Sequence, residues 1–370
     1  VPVNLSAAEG PVPGVLQRGH LAGDAPGCVE IPGAGRSLND LLDAPDGSAD
    51  RDWGDLLKFQ QPAADYFASF DPTSPLHDEA NDVHVVCNGE IYNHKALRQE
   101  LSADFSFESD SDTEVLLAAY KKWGLAFVDH LVGMFAIAIM DGKERYLFRD
   151  RLGKKPLFYL QNREQFIFAS EIKGLTPFLT KKEMNKDALI SYLGYLAPTP
   201  PHTFFKGIHK LEAGEMLHFD GRKIEKRLYY SLLDAPSSMI VTEQEALKTI
   251  EERLLESMRL RLSADVPMAS LLSGGIDSAL IAAISKEQGM PLHTFTLGYA
   301  EYQNYDERRN ASFTAEALGV RNSEIEITQD DFIGASEKVF AAMDEPLNDP
   351  AAIPLYLLFE GIKKEGYKVV

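Results

Sequence analysis

The chain has 370 residues, 45% of them hydrophobic, with 37 basic against 56 acidic side chains and a formal net charge of −19. That length supports two or three domains with cores of their own, and a mean hydropathy of −0.19 with no apolar run long enough to span a bilayer excludes a transmembrane helix. Cys28 and Cys87 are its only cysteines, which excludes a disulfide framework and a four-cysteine zinc site, and the excess of acid disfavours a protein that grips nucleic acid by its phosphates.

Residues 1–82 carry 14 acidic and 4 basic side chains and nine of the twenty prolines, with no sustained period. Too few apolar side chains are present to offset the entropy of ordering. The expectation for 1–82 is loops, partial disorder or a misread start, and the chain from Val1 to Val370 is expected to be a fragment.

From Val83 the texture changes. Residues 83–87 predict a strand, Asn88-Gly89 a hairpin turn and 94–101 a helix. Val115, Leu116, Ala119 and Tyr120 recur at helical spacing and predict a helix over 113–123. Strand-like runs follow at 134–140, 145–149, 156–160 and 165–169, separated by Asp-Gly, Leu-Gly and charged turns. Short strands so closely spaced predict antiparallel sheets packed on one another.

Residues 185–196 predict a helix stopped by Pro198-Thr199-Pro200-Pro201, and 204–230 hold further strands with Asp220-Gly221 at a hairpin turn. Residues 231–241, with Pro236 and two serines nearby, form the linker candidate. Beyond it the order is helix 243–262, strand 267–272, helix 278–287, strand 292–297, helix 306–318 and strand 323–327. Strands alternating with helices predict a parallel α/β sheet.

Ser273-Gly274-Gly275-Ile276-Asp277-Ser278 joins a strand to a helix, where anion sites arise. Two glycines let the backbone approach a phosphate, the serine hydroxyls add donors, and the orphan N–H groups of the next helix point at the anion. The plain alternative is a strand-to-helix turn with Asp277 or Ser278 as the N-cap. The segment lacks the length and the lysine of a Walker A loop. It resembles the pyrophosphate loop of the ATP pyrophosphatases, enzymes that split ATP into AMP and pyrophosphate. The resemblance implies that Ser273, Gly274, Gly275, Asp277 and Ser278 bind the phosphates of ATP, that Asp277 meets Mg2+, and that Leu272 and Leu297 line the adenine site.

Asn88-Gly89-Glu90-Ile91-Tyr92-Asn93 is followed by Ser111-Asp112-Thr113-Glu114, by Gly133-Met134-Phe135-Ala136 and by the run from Arg149-Asp150-Arg151 to Leu157. These four motifs in this order resemble the class II glutamine amidotransferase domain of glutamine-hydrolysing asparagine synthetases. The resemblance continues through Ala169-Ser170-Glu171, Gly207-Ile208-His209-Lys210-Leu211, the phosphate loop and Asp344-Glu345-Pro346. It implies an Ntn-hydrolase-like α+β amidotransferase domain over 83–230, built of stacked antiparallel sheets with helices, and a truncated α/β parallel-sheet ATP-pyrophosphatase domain over 242–370.

For the amidotransferase site, the resemblance implies that the Asn88 amide and the Gly89 N–H form the oxyanion hole. Asp112 would pair with the glutamine α-ammonium, Glu90 would contribute a further contact, and Arg36 is the faint counterpart of the family's glutamine-carboxylate arginine. The family's nucleophile is an N-terminal cysteine whose own α-amine acts as base. This sequence has Val1-Pro2 instead, so glutaminase activity is expected to be absent from the chain as given. Cys28 would qualify only after cleavage behind Gly27. Cys87 is expected as a half-buried strand residue, and Arg149 with Asp150 as a structural ion pair.

In the synthetase half, the family's aspartate carboxylate attacks the α-phosphate of ATP, giving β-aspartyl-AMP and pyrophosphate, and ammonia then displaces AMP. The implied substrates are glutamine, aspartate and ATP with Mg2+, in the cytoplasm, with neither nucleic acid nor membrane as partner and a homodimer as one arrangement the family allows. Two alternatives stand beside this: an amide-forming relative of the β-lactam synthetase or lasso-peptide cyclase type without glutaminase activity, and a non-catalytic ATP-binding module.

Overall fold

Apolar side chains alternating along short strands, and recurring every third or fourth residue along helices, assemble the elements described here from a computed structural model. Residues 76–78, 82–162, 166–234, 242–262, 266–302, 306–346, 349 and 351–370 are described. The expectations for residues 1–75, including Cys28 and Arg36, lie outside them, as does 235–241 of the linker candidate. The chain divides into two compact units between Ala235 and Pro236.

The first unit runs β1 (Leu76–Asp78), β2 (Val83–Ile91), α1 (His94–Leu101), α2 (Asp112–Trp123), β3 (Gly133–Asp141), β4 (Glu144–Arg149), β5 (Phe158–Gln161), β6 (Phe166–Ala169), α3 (Lys186–Tyr195), β7 (Ile208–Lys210), β8 (Glu215–Phe219) and β9 (Ile224–Leu228). One sheet has the order β1-β2-β3-β4-β8-β9 and a second the order β6-β5-β7, with every pairing antiparallel. The expected stacking is present. Ala136, Ala138, Leu147 and Leu217 of the large sheet bury against Leu157, Tyr159 and Phe166 of the small one. The other face of the large sheet is covered by helices, with Val85, Ile91 and Ile137 packed on Leu97, Leu101, Val115 and Leu116. At the far edge, β9 is exposed along Glu225, Lys226, Arg227 and Leu228.

Two expectations fail here. Asn88-Gly89 is not a turn, because β2 runs straight through both residues and pairs them with Ala136 and Phe135. The glycine serves a different need: a Cβ on Gly89 would collide with the Met134 carbonyl oxygen and lie 2.7 Å from the Phe135 Cα. Nor do Arg149 and Asp150 form a salt bridge, although the Asp150 charge favours the Arg149 cation. The Arg149 guanidinium donates to the carbonyls of Lys155, Leu211 and Gly153 at 2.8, 2.5 and 2.8 Å. The buried Asp150 carboxylate accepts from the backbone N–H groups of Leu152, Lys154, Lys155 and Phe135 at 2.9 to 3.3 Å.

The second unit runs α4 (Glu243–Arg261), β10 (Ser270–Leu271), α5 (Ile276–Glu287), β11 (His293–Tyr299), α6 (Arg308–Leu318), β12 (Arg321–Ile327), α7 (Gln329–Ala342) and α8 (Ala352–Lys364). Strands β10, β11 and β12 form the expected parallel sheet. Ala282, Ala311 and Ala315 cover one face with Leu272 and Leu292, while Leu358 and Ile362 cover the other with Phe295. The strand expected over 267–272 shrinks to two residues. The apolar run at the C-terminal end contributes one parallel bridge, Met268 to Val369.

Candidate functional site

The amidotransferase motifs converge on one edge of β2. Phe135 exchanges both of its backbone groups with Asp150, accepting from its N–H at 2.9 Å and donating to its carboxylate at 3.3 Å. Its N–H and C=O therefore point toward β4. Gly89, opposite it in the register, is a non-hydrogen-bonded partner whose N–H points away from β3. Ile91 has the same parity, and its N–H donates off that edge to Asp112 Oδ2 at 3.0 Å. Gly89 N–H and the Asp112 carboxylate thus belong to the same edge of the sheet.

Asn88 and Glu90 project to the opposite face from Gly89 and Ile91, as alternation along a strand requires. The Asn88 carboxamide donates one N–H to the Ser170 hydroxyl at 2.9 Å, which leaves its second N–H for another acceptor. Asp112 is the first residue of α2, whose N-cap Ser111 accepts from the Thr113 N–H at 3.2 Å. The loop leading to it is gathered by Glu114, which accepts from the N–H groups of Glu108 and Ser109 at 2.7 and 2.9 Å. Arg98 donates to the Ser109 carbonyl and lies over the Phe107 ring at 4.4 Å.

Cys87 is half-buried, as expected. Burial, reinforced by Asp112 and opposed by Lys155, pushes its thiol far above the usual cysteine range, so it is a poor nucleophile. Sequence reasoning brought Asn88, Gly89, Glu90 and Asp112 to this region but assigned no role to Ser170 or Glu114, although both lie inside motifs it had singled out.

In the second unit the loop 273–275 folds on itself. Ser273 N–H donates to Ser278 Oγ at 3.1 Å, the two hydroxyls are 2.9 Å apart, and Gly275 N–H donates to Ser273 Oγ at 3.2 Å. The N-cap of α5 is Gly275 and the helix starts at Ile276, so the capping role considered for Asp277 or Ser278 falls to neither. Ser278 instead turns its hydroxyl back onto the loop. Asp277 stands exposed in the first turn. Among the described residues no three His, Cys, Asp or Glu side chains gather as a metal site. A single carboxylate still suits Mg2+ shared with substrate phosphates. Leu272 and Leu297 join different clusters on the two faces of the sheet, so they reach a common ligand only through their backbones or strand ends.

Comparison with known proteins finds a family model in each of the two units. The family model of the glutamine amidotransferase domain matches residues 67–230, and that of asparagine synthase matches 249–370. The chain belongs to the asparagine synthetase family.

Asparagine synthetase relatives are found in bacteria and archaea. Glutamine-hydrolyzing asparagine synthetase 1 of Bacillus subtilis (strain 168) is 37% identical over 296 residues, covering 78% of this chain and 46% of that protein. A putative glutamine-hydrolyzing asparagine synthetase 2 of Methanocaldococcus jannaschii is 33% identical over 290 residues, 76% of this chain and 56% of the other. Amidase chyE of Penicillium rubens is 32% identical over 321 residues, 82% and 47% respectively. The chain spans about half the length of these curated relatives. Among its described residues no helix is long and apolar enough to cross a membrane.

Proposed function

We propose that the chain is the amidotransferase half and the nucleotide-binding start of an enzyme that makes asparagine from aspartate, ATP and glutamine-derived ammonia. The domain division belonging to this reading is 83–230 and 242–370, joined by 231–241. The observation that carries it is the edge of β2, where Gly89 N–H points outward beside a carboxylate already fixed by the neighbouring Ile91 N–H. Glutamine's α-ammonium would meet Asp112, with Glu90 alongside. Its amide oxygen would face the Gly89 N–H and the second Asn88 N–H, donors held in place before charge develops.

Burial pushes the Cys87 thiol far above the usual cysteine range, which speaks against Cys87 as the nucleophile. In the second unit, Ser273, Gly274, Gly275 and Ser278 would receive the phosphates of ATP, and Asp277 would share Mg2+ with them, the metal neutralising charge as pyrophosphate leaves. The strand ends at Leu272 and Leu297 would flank the adenine. Aspartate attack on the α-phosphate would give β-aspartyl-AMP, which ammonia resolves to asparagine and AMP.

A second reading, an amide-forming enzyme without glutaminase activity, is favoured by the similarity to amidase chyE. The full chain incubated with ATP, Mg2+, aspartate and ammonium is the test. Aspartate-dependent pyrophosphate release with asparagine in the mass spectrum supports the first reading. Pyrophosphate release indifferent to aspartate supports the second, and ATP binding without any release overturns both in favour of a non-catalytic nucleotide module.

A further inference from the structure

The N-terminal turn of α6 lies against the phosphate loop. Gly274 N–H donates to Glu307 Oε2 at 3.2 Å, and a Cβ on Gly274 would come within 3.0 Å of the Asn310 Cβ. Glu307 is the N-cap residue of α6 and Asn310 follows one turn later, so both belong to the same helix face. Packing of Asn310 on the glycine holds that turn in place, and the exposed Glu307 side chain reaches the amide from it.

This contact sets an anion on the one loop amide whose acceptor is a carboxylate. The Ser273 and Gly275 amides are engaged by neutral serine hydroxyls, of Ser278 in α5 and of Ser273 in the loop itself. The Gly274 amide, by contrast, is held by a carboxylate from another helix. A phosphate oxygen and a carboxylate oxygen compete for a single N–H and repel each other when both are near it.

Resting on the polyphosphate reading of this loop, we propose that Glu307 competes with phosphate for the Gly274 amide and so sets the affinity of the loop for polyphosphate. Binding of a phosphate oxygen at Gly274 requires the Glu307 carboxylate to swing out. Glu307 thus weakens the hold on pyrophosphate, the product anion of the proposed reaction, and favours its departure.

The experiment is calorimetric titration of the full chain with pyrophosphate, without metal and at low salt, on the wild type, Glu307→Gln and Glu307→Ala. A charge removed at contact distance from the bound anion raises affinity about fivefold, and the gain shrinks as salt screens the pair. Both variants are expected to bind more tightly by that margin, with urea midpoints close to wild type because the side chain is exposed. Unchanged or weaker binding in both variants, with binding retained in the wild type, overturns the role of Glu307 and leaves the phosphate reading standing. No binding by any of the three overturns the phosphate reading itself.

Discussion

The Asn88 carboxamide in the large sheet is tied to the Ser170 hydroxyl at the end of the small sheet, 2.9 Å away. One N–H of the amide is thereby spent on orientation and the other is aimed. Ser170→Ala removes the acceptor and lets the amide rotate. Glutamine affinity of the chain is expected to fall about fivefold, the worth of one ordinary hydrogen bond, with Asn88→Ala costing more. Calorimetry with glutamine checks this, and equal affinity in wild type and Ser170→Ala would show that the tie orients nothing.

Gly89 and Gly142 make a contrasting pair. Gly89 has no room for a side chain between the paired backbones of β2 and β3, whereas a Cβ on Gly142 meets nothing within 4 Å and faces only the cost of φ +54°. Gly89→Ala is expected to destabilise the unit by about 3 kcal/mol through overpacking. Gly142→Ala should cost about 1 kcal/mol from left-handed backbone strain. Urea unfolding of the two variants orders them, and a reversal would mean that β3 moves aside cheaply.

Arg149 links three carbonyls that no single ammonium can reach together. Arg149→Lys keeps the charge and loses the fork, leaving at least one of those carbonyls short of a partner. The expected loss is about 2 kcal/mol in urea unfolding. A midpoint equal to wild type would assign the cohesion of this corner to the Asp150 contacts alone.

Glu114 links the loop before Asp112 to pH. Burial works against its charged form, yet the N–H groups of Glu108 and Ser109, the Ser109 hydroxyl and Arg98 outweigh it and hold the carboxyl below its usual value. A carboxyl depressed in the folded state contributes stability above its unfolded pKa, about 4.3, and loses it as pH falls through the lower folded value. Glu114→Gln should therefore cost about 1 kcal/mol at pH 7. Its difference from wild type should narrow steadily below about pH 4. Paired urea titrations from pH 7 downward measure the gap, and a gap constant with pH would assign Glu114 a purely steric part.

Much of this was legible in the residues. Helix α1 spans the expected 94–101 and α2 lies where apolar spacing predicts it, and the alternation of strand and helix after residue 242 announces the parallel sheet. The misreading of Asn88-Gly89 has a physical cause. Locally the pair is a strong turn signal, but the backbone that demands the glycine is Met134 and Phe135, distant in sequence and brought close only by β3. The Arg149 and Asp150 side chains mislead for a similar reason, since adjacent opposite charges suggest a pair while their hydrogen-bond partners are backbone groups of the following turn and, at Leu211 and Phe135, of segments distant in sequence. Helix α7 carried a usable signal that sequence reasoning passed over, because Thr328 and Asp331 form a capping box at its start. The Gly274 contact with Glu307 could not be read at all, as it depends on where α6 comes to rest.

The outer strand of the large sheet bears on how the first unit behaves when crowded. A sheet edge is a template onto which another strand can zip, and β9 ends one side of the six-stranded order. Its exposed positions hold Glu225, Lys226 and Arg227, and Lys226 is drawn back by Glu215 at 3.0 Å. An incoming copy would have to bring its own charges against this row and strip water from it. Exchanging Glu225 and Arg227 for valines would keep Lys226 on the buried Glu215 carboxylate and convert a guarded edge into an adhesive one, so resistance to fibrillar self-association would rest on a handful of surface charges.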